Sequence, residues 1–318
     1  MSQLPRLFAA LADPTRLRVL ALLRAMELSV GEIAQVLGQS QPRVSRHVKI
    51  LGEAGLIERR KEGSWVFLCL GPIELVEPLF GLIDRWKARG GADVWEADIG
   101  RLQAVRAERA AAAQSYFAAH ALDWDRLRSM HVAEAEVESA IARALSDNGR
   151  GIGRLVDVGT GTGRMIELFG QSAVHVLGID RSPEMLRLAR VKLAEAGLNA
   201  DLRQGDMYAL PLASGTVDTV ILHQVLHYAQ NPAAAVAEAS RLLAPGGRLL
   251  IADFAAHERE ELRTRDAHAR LGFGDDAVLG YLEAAGLEAQ VVERLEGGEL
   301  TVTIWVGTQP EARLKVVA

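Results

Sequence analysis

Asp157-Val158-Gly159-Thr160-Gly161-Thr162-Gly163 sets three glycines at alternate positions behind a carboxylate. The motif follows the apolar run Leu155–Val158, which reads as a strand, and precedes a helical stretch. Glycines after a first strand let the main chain approach a ligand closely at the carboxyl edge of a sheet. A second carboxylate, Asp180, ends the next apolar run, Val174–Ile179. That position, about twenty residues on, suits a carboxylate that accepts from both hydroxyls of a ribose. Gly205-Asp206-Met207 follows a third expected strand; Asp206 can accept from an adenine amino group, and Met207 can pack on the ring. Together these residues predict a nucleoside cofactor site. A dinucleotide site would more often show G-x-G-x-x-G opening a helix that meets a pyrophosphate. The D-x-G-x-G-x-G spacing suits a phosphate-free cofactor carrying a cationic sulfonium, with its ammonium near Asp157; NAD is the alternative.

His223, His227 and Tyr228 are the candidate catalytic groups, as acid or base, with pocket lining as the plainer role. The two histidines lie at metal-ligating helical spacing, but no third ligand accompanies them, so no metal is expected. Asp253, His257 and His268 can face a substrate in the same way, and Glu258–Glu261 reads as a solvated face.

A different chemistry is written into the front of the chain. The tight turn Leu37-Gly38-Gln39-Ser40 joins two helical stretches, and the second begins Gln41-Pro42-Arg43-Val44-Ser45-Arg46-His47. Polar side chains at the start of a recognition helix reach base edges. Arg43 and Arg46 can read guanine and Gln41 adenine, each bidentately. Ser40, Ser45, His47 and Lys49 complete the candidate DNA face, and no acidic residue lies between Glu32 and Glu53. Arg59, Arg60 and Lys61 flank the Glu62-Gly63 turn of an expected hairpin, a wing suited to phosphate or the minor groove. Any one of these arginines could belong to a solvated face; turn, acid-free helix and basic wing in that order are more specific.

The elements that must position these groups differ between the two halves. Asp13-Pro14 caps one helix; Ser29 with Glu32 forms a capping box on the next; Ser40 is the expected cap of the third. Leu56–Arg60 and Ser64–Leu68 read as paired strands, and Pro72–Trp86 as an amphipathic helix. Arg89–Ala92 is the best linker, followed by helices from Asp93 to about Ala119 and from about Ser129 to Leu145. From Arg154 apolar runs alternate with helical stretches such as Pro183–Ala196 and Pro232–Leu243, which implies a mainly parallel sheet covered on both faces. The predicted fold class is α/β: a winged helix-turn-helix domain (1–88), a helical lead-in (89–149) and a Rossmann-like seven-stranded domain (150–318).

Composition agrees with a soluble two-domain chain of 318 residues. Residues 1–90 hold 13 Lys and Arg against 9 Asp and Glu, net +4; the remainder holds 23 against 32, net −9. A mildly basic front half is what a nucleic-acid contact there requires. The single cysteine, Cys69, rules out an internal disulfide and reads as a small buried hydrophobe in a wing strand. No apolar run reaches the ~20 residues needed to span a bilayer. Charges inside the first apolar stretch argue against a signal peptide. A cytoplasmic location without membrane contact is expected.

The stretch from Leu7 to about Leu70 resembles the ArsR/SmtB family. The resemblance rests on Ala10–Arg18, Ser29–Ala34 and Gln41–Leu51. It implies a homodimeric repressor that binds double-stranded DNA at a palindromic operator, with Pro72–Trp86 as a dimer helix. The family's metal sensors carry a cysteine pair where this chain reads Ser29-Val30-Gly31, so sensing of soft metals by that site is not expected.

Residues from about Arg154 to Gly307 resemble class I S-adenosylmethionine-dependent methyltransferases. Five segments carry this in order: Asp157–Gly163, Gly178–Asp180, Gly205–Met207, Asp218–His227 and Leu243–Leu249. The resemblance implies seven strands, with Leu287–Leu295 and Leu300–Thr308 antiparallel at one edge. It implies that Asp157, Gly159, Thr160, Gly161 and Gly163 hold the methionine half of S-adenosylmethionine and Asp180 its ribose. Asp206 and Met207 would frame the adenine, Arg181 and Met185 would also bind the cofactor, and His223 would meet it from the fourth strand. Tyr116, Phe117 and Trp124 either cover the sulfonium or only cap the core.

Methyl transfer depends chiefly on alignment, and a base is needed only where the nucleophile must lose a proton. Arsenite methylation is unlike this chain, which lacks cysteine in that region. Two functions stay open: methylation of a small molecule, releasing S-adenosylhomocysteine, or a non-catalytic repressor of methyl-metabolism genes that senses either compound. A nucleic-acid methyltransferase would prefer an Asn/Asp-Pro-Pro-aromatic segment where His223-Gln224-Val225-Leu226 stands.

Overall fold

The computed structural model describes residues 3–62, 65–87, 97–105, 107, 134–146, 151–296 and 299–311. Tyr116, Phe117 and Trp124 lie outside them. The chain divides into two compact units, Met1–Ala111 and Ala112–Ala318.

In the first unit, helices α1 (Gln3–Leu11), α2 (Pro14–Ala25), α3 (Val30–Leu37) and α4 (Gln41–Glu53) precede a small sheet and α5 (Ile73–Lys87). Asp13 caps α2 by accepting from the Thr15 and Arg16 amides at 2.8 and 3.1 Å. Ser29 and Glu32 form the reciprocal capping box of α3. Gly38, at φ +63°, lets the chain leave α3 and enter α4 within three residues. The sheet has the order β1-β3-β2, with β2 Ile57–Glu62 and β3 Trp65–Leu70 as the wing. Strand β1, Leu28–Ser29, pairs with Leu68 and Phe67 and was not foreseen, because two residues carry no periodicity. Val19, Leu20, Leu23, Ile33, Val44, Val48 and Leu51 meet in one core, which Leu102 and Val105 of the helical stretch 97–105 also enter. Arg18 clamps that stretch through both oxygens of Asp98, each at 2.6 Å.

The second unit is a seven-stranded sheet ordered β6-β5-β4-β7-β8-β10-β9. Its strands are β4 Gly153–Val158, β5 Ala173–Asp180, β6 Asp201–Gln204, β7 Val217–His223, β8 Leu243–Phe254, β9 Glu288–Leu295 and β10 Val302–Thr308. All neighbours run parallel except at β10, which is antiparallel to both β8 and β9. Alternate residues of the central strands face opposite sides, which is why these strands read as unbroken apolar runs. Leu155, Ile221 and Leu250 pack under α6 (Glu134–Ser146), α7 (Arg164–Phe169) and α8 (Pro183–Glu195). Val156, Val220, Leu249 and Ile251 pack under α9 (Pro232–Arg241) and, with the buried Trp305, under α11 (Asp275–Ala284). A short α10 (Glu261–Arg265) lies between β8 and α11. The Pro245-Gly246 turn is contained within β8, where the register against β7 jumps from Val217↔Leu243 to Thr219↔Arg248. Strand order reverses between β4 and β7, and ligands of open parallel sheets bind at the carboxyl ends of such a pair.

Candidate cofactor and DNA sites

The glycine motif turns immediately off β4. Gly159, Gly161 and Gly163 have φ of +74°, +52° and +86°, a region that side chains other than glycine rarely adopt. At Gly159 a Cβ would also land 2.3 Å from Val225 Cγ2, so the loop lies directly against the turn that follows β7. The Gly159 and Thr160 amides donate to the Ile179 carbonyl at 2.7 and 3.0 Å, tying the loop to the end of β5. Thr160 donates its hydroxyl to Asp157 Oδ2 at 2.6 Å, and both side chains are buried.

Asp180 organises the neighbouring strand end. Its Oδ2 accepts from the Gly161 amide and its Oδ1 from the Ser182 amide, both at 2.8 Å. Burial pushes the carboxyl above its ordinary value, against the pull of the Ser182, Gly161 and Arg181 amides. Ser182 in turn caps α8 by accepting from the Met185 amide at 3.2 Å. The Gly205 amide donates to the Asp180 carbonyl at 3.0 Å, which sets Asp206, exposed, and Met207, half-buried, beside that strand end. Arg181 is exposed and Met185 enclosed.

Asp157, Asp180 and Asp206 thus stand at three successive strand ends. Helix α7, behind the glycines, is only six residues long and offers a small dipole. Of the three, Asp157 stands against the glycine loop, where a dinucleotide would set its pyrophosphate, and a carboxylate there favours a cation instead. The donor set therefore fits a sulfonium nucleoside better than a dinucleotide.

Past β7 the chain turns sharply at Gln224, a non-glycine residue at φ +48°. The turn carries His227 and Tyr228; His223, at the strand's end, is buried. His227 Nδ1 lies 2.7 Å from Asp253 Oδ1, and the His227 amide donates to Asp253 Oδ2 at 3.1 Å. Asp253, which the sequence suggests as a substrate-facing residue, is paired with His227, a contact its local sequence does not announce. The available signal was a carboxylate closing β8 beside a histidine-bearing turn after β7, usable only once these strands are known to be neighbours. His257 and His268 both gather at this corner, through rings packed on Phe254. Among the described residues, no group of three or more His, Cys, Asp or Glu is arranged to hold a metal ion.

In the first unit, α4 presents Gln41, Arg43, Ser45, Arg46 and Lys49 to solvent, while Val44, Val48 and Leu51 face inward. Ser40 stands at the N-cap without a side-chain cap bond. Pro42 has no amide hydrogen to give, and the Arg43 amide donates to the Ser40 carbonyl at 3.1 Å instead. His47 is half-buried, its Nδ1 3.7 Å from Asp13 Oδ1. Arg59 is exposed on β2; Arg60 and Lys61 follow it along the strand's main chain. Cys69 is half-buried rather than enclosed, because it pairs with Glu58 across the two-stranded wing.

A family model for a methyltransferase domain matches residues 156–251, and one for bacterial regulatory proteins of the arsR family matches residues 13–59. The chain is 38% identical over 101 residues to the arsenical resistance operon repressor of Escherichia coli (strain K12), covering 31% of this chain and 79% of that one. It is 28% identical over 204 residues to a ubiquinone biosynthesis O-methyltransferase of Parvibaculum lavamentivorans, covering 63% of this chain and 76% of that enzyme. Two further curated methyltransferases are covered over 57% and 40% of their own length. A solved Thermotoga maritima structure, described as a SAM-dependent methyltransferase and possible histamine N-methyltransferase, has a TM-score of 0.49 at 21% identity, over 61% of this chain and 99% of that one. The chain belongs to the ArsR family of bacterial regulatory proteins, with an S-adenosylmethionine-dependent methyltransferase domain joined behind its winged helix.

Proposed function

We propose that the protein is a dimeric DNA-binding regulator whose second unit binds S-adenosylmethionine and methylates a small molecule. The observation that carries the cofactor assignment is the positive-φ glycine loop at the strand-order reversal, flanked by carboxylates on three strand ends. In this reading Asp157 and the loop amides hold the methionine half, Asp180 accepts from the ribose hydroxyls, and Asp206 with Met207 frames the adenine. When bound, the cofactor supplies an electrophilic methyl group. His223, His227 and Tyr228 then border the space an acceptor would occupy. The other unit binds a palindromic duplex as a two-fold dimer, with Gln41, Arg43 and Arg46 at base edges and Lys49 and Arg59 at phosphate.

Calorimetric titration with S-adenosylmethionine and S-adenosylhomocysteine, repeated on Asp180→Ala, tests the cofactor site. The expected result is binding of both, abolished by the substitution; no binding of either removes the assignment. The competing reading, a repressor that only senses these compounds, shares the whole cofactor site. It predicts that operator affinity follows ligand while the methyl donor is never consumed, so release of S-adenosylhomocysteine in the presence of an acceptor excludes it.

A further inference from the structure

The two described non-glycine residues with positive φ are Gln224 at +48° and Ala267 at +56°. Backbone held in this region is costly and persists where the surroundings impose it, often at functional sites. Both residues flank one cluster. Gln224 begins the turn that carries His227, and Ala267 immediately precedes His268. The Gln224 amide donates to the Ala252 carbonyl at 2.8 Å, so the strained turn is locked to the end of β8, one residue before Asp253.

Asp253 is fully buried. Its Oδ1 accepts from the Phe254 amide at 2.7 Å and its Oδ2 from the His227 amide at 3.1 Å. Both oxygens thus act as acceptors, and the remaining contact, His227 Nδ1 at 2.7 Å, is satisfied when Nδ1 carries the proton. That tautomer leaves the lone pair on Nε2. The groups packed around the imidazole are the rings of Tyr228, His268 and Phe254, with centroids at 4.0, 4.3 and 4.9 Å. His257 stands behind Phe254 at 6.4 Å. The segment carrying His268 is pinned by the Ala269 and Arg270 amides, which donate to the His227 carbonyl at 3.1 and 2.9 Å. Val225, two residues before His227, is the side chain against which Gly159 packs. An oriented histidine, its side chain only 3% exposed among these rings, therefore stands on the turn that meets the glycine loop through Val225.

Building on the methyltransferase assignment above, we propose that His227 is the general base of the transfer, that Asp253 is its positioning residue, and that the acceptor is a phenol-type hydroxyl. Thiols ionise to thiolates near neutral pH and a neutral amine already carries its lone pair, whereas a hydroxyl is a poor nucleophile until its proton is removed. The rings packed around the imidazole offer their faces and edges to whatever reaches Nε2, which favours a flat acceptor. The acceptor oxygen forms the new bond to the methyl carbon as the sulfur–methyl bond breaks, its electron pair remaining on sulfur. The hydroxyl proton passes to His227 Nε2, Asp253 stabilises the resulting imidazolium, and the proton then leaves to solvent.

The test uses the full-length protein with catechol and thiophenol as acceptor probes, together with nitrogen-15 imidazole spectra of His227. Wild type is expected to show the Nδ1–H tautomer, and Asp253→Asn to lose that preference. His227→Gln is expected to lower kcat on catechol by about 10²–10⁴-fold with KM little changed, and to remove the acidic limb of its pH profile. Thiophenol transfer should fall less than tenfold. Calorimetric binding of S-adenosylmethionine by both variants shows that their sites are intact. The proposal is overturned if catechol transfer survives His227→Gln, if wild type holds the Nε2–H tautomer, or if protein that binds S-adenosylmethionine methylates no hydroxyl probe. Failure to bind S-adenosylmethionine would instead strike at the cofactor assignment itself.

Discussion

Substituting Gly159 by alanine tests whether the glycine loop and the turn after β7 form one packed unit. Two separate penalties follow from the geometry. The residue sits at φ +74°, where an L-side chain costs about 1–2 kcal/mol. The new Cβ would also stand 2.3 Å from Val225 Cγ2 and 2.8 Å from its Cβ, an overpacking worth about 1–3 kcal/mol. The sum is a loss of about 2–5 kcal/mol. The two terms separate in a double-mutant cycle with Val225→Ala. In the glycine background that change removes packing; in the alanine background it removes the clash. The pair should therefore couple by about 1–3 kcal/mol in the compensating direction, leaving only the backbone strain. Urea unfolding of the full-length protein gives the free energies, and hydrogen exchange of β4 and β7 amides assigns them to the second unit. A Gly159→Ala protein within about 0.5 kcal/mol of wild type, the range expected of uninvolved surface changes, would refute the reasoning. So would a cycle with no coupling.

Three more outcomes are expected. Asp98→Ala leaves the Arg18 guanidinium without its bidentate partner and should cost about 3 kcal/mol, the low end for a broken buried pair because the Arg18 side chain keeps 17% exposure. Burial raises the Asp98 carboxyl, but Arg18 and Arg101 outweigh it and hold it below 3.8. Its contribution is thus present above that pH and lost as pH falls through the folded value, so wild type and Asp98→Ala should converge in urea midpoint under acid; a constant gap contradicts this. For Asp180 the shift is opposite, raised by burial. Ribose hydroxyls donate to the ionised form, so S-adenosylmethionine affinity should weaken as pH falls into the raised carboxyl range, with proton release on binding there; calorimetry in buffers of different ionisation enthalpy reads both, and a flat profile would oppose the ribose assignment. On the DNA side, Arg46→Ala should lose about 1–3 kcal/mol of operator affinity and relax base preference, whereas Arg59→Ala should weaken all duplexes and lower the salt slope by about 1, as fluorescence anisotropy across a salt series would show.

Much of this was legible because local chemistry and fold agreed. The capping box at Ser29 and Glu32, the cap at Asp13 and the stop at Gly38 each act within a few residues, so their spacing announces them. The strands of the second unit were legible for a related reason: burial on both faces leaves an apolar run with glycines at its end. Local spacing failed where a contact joins segments distant in sequence. His47 has every local mark of a base reader, yet it faces Asp13, thirty-four positions earlier, because α2 packs behind α4.

His227 and Asp253 pose the same problem at the cofactor edge. They are 26 residues apart, and only the adjacency of β7 and β8 makes them partners. The adjacency alone is not sufficient, since a turn leaving β7 in ordinary extended geometry would carry His227 onward past the strand end. The left-handed conformation of Gln224 folds the turn back, and its amide bond to Ala252 holds it there. Glutamine has no special liking for that conformation, so nothing in the residue type marks it. The glycine at 159 completes the arrangement from the other side, since a larger residue would clash with Val225 on the same turn. One strained glutamine and one obligatory glycine therefore hold the His227 turn and the glycine loop together, and neither works without the strand order that brings β4, β7 and β8 side by side.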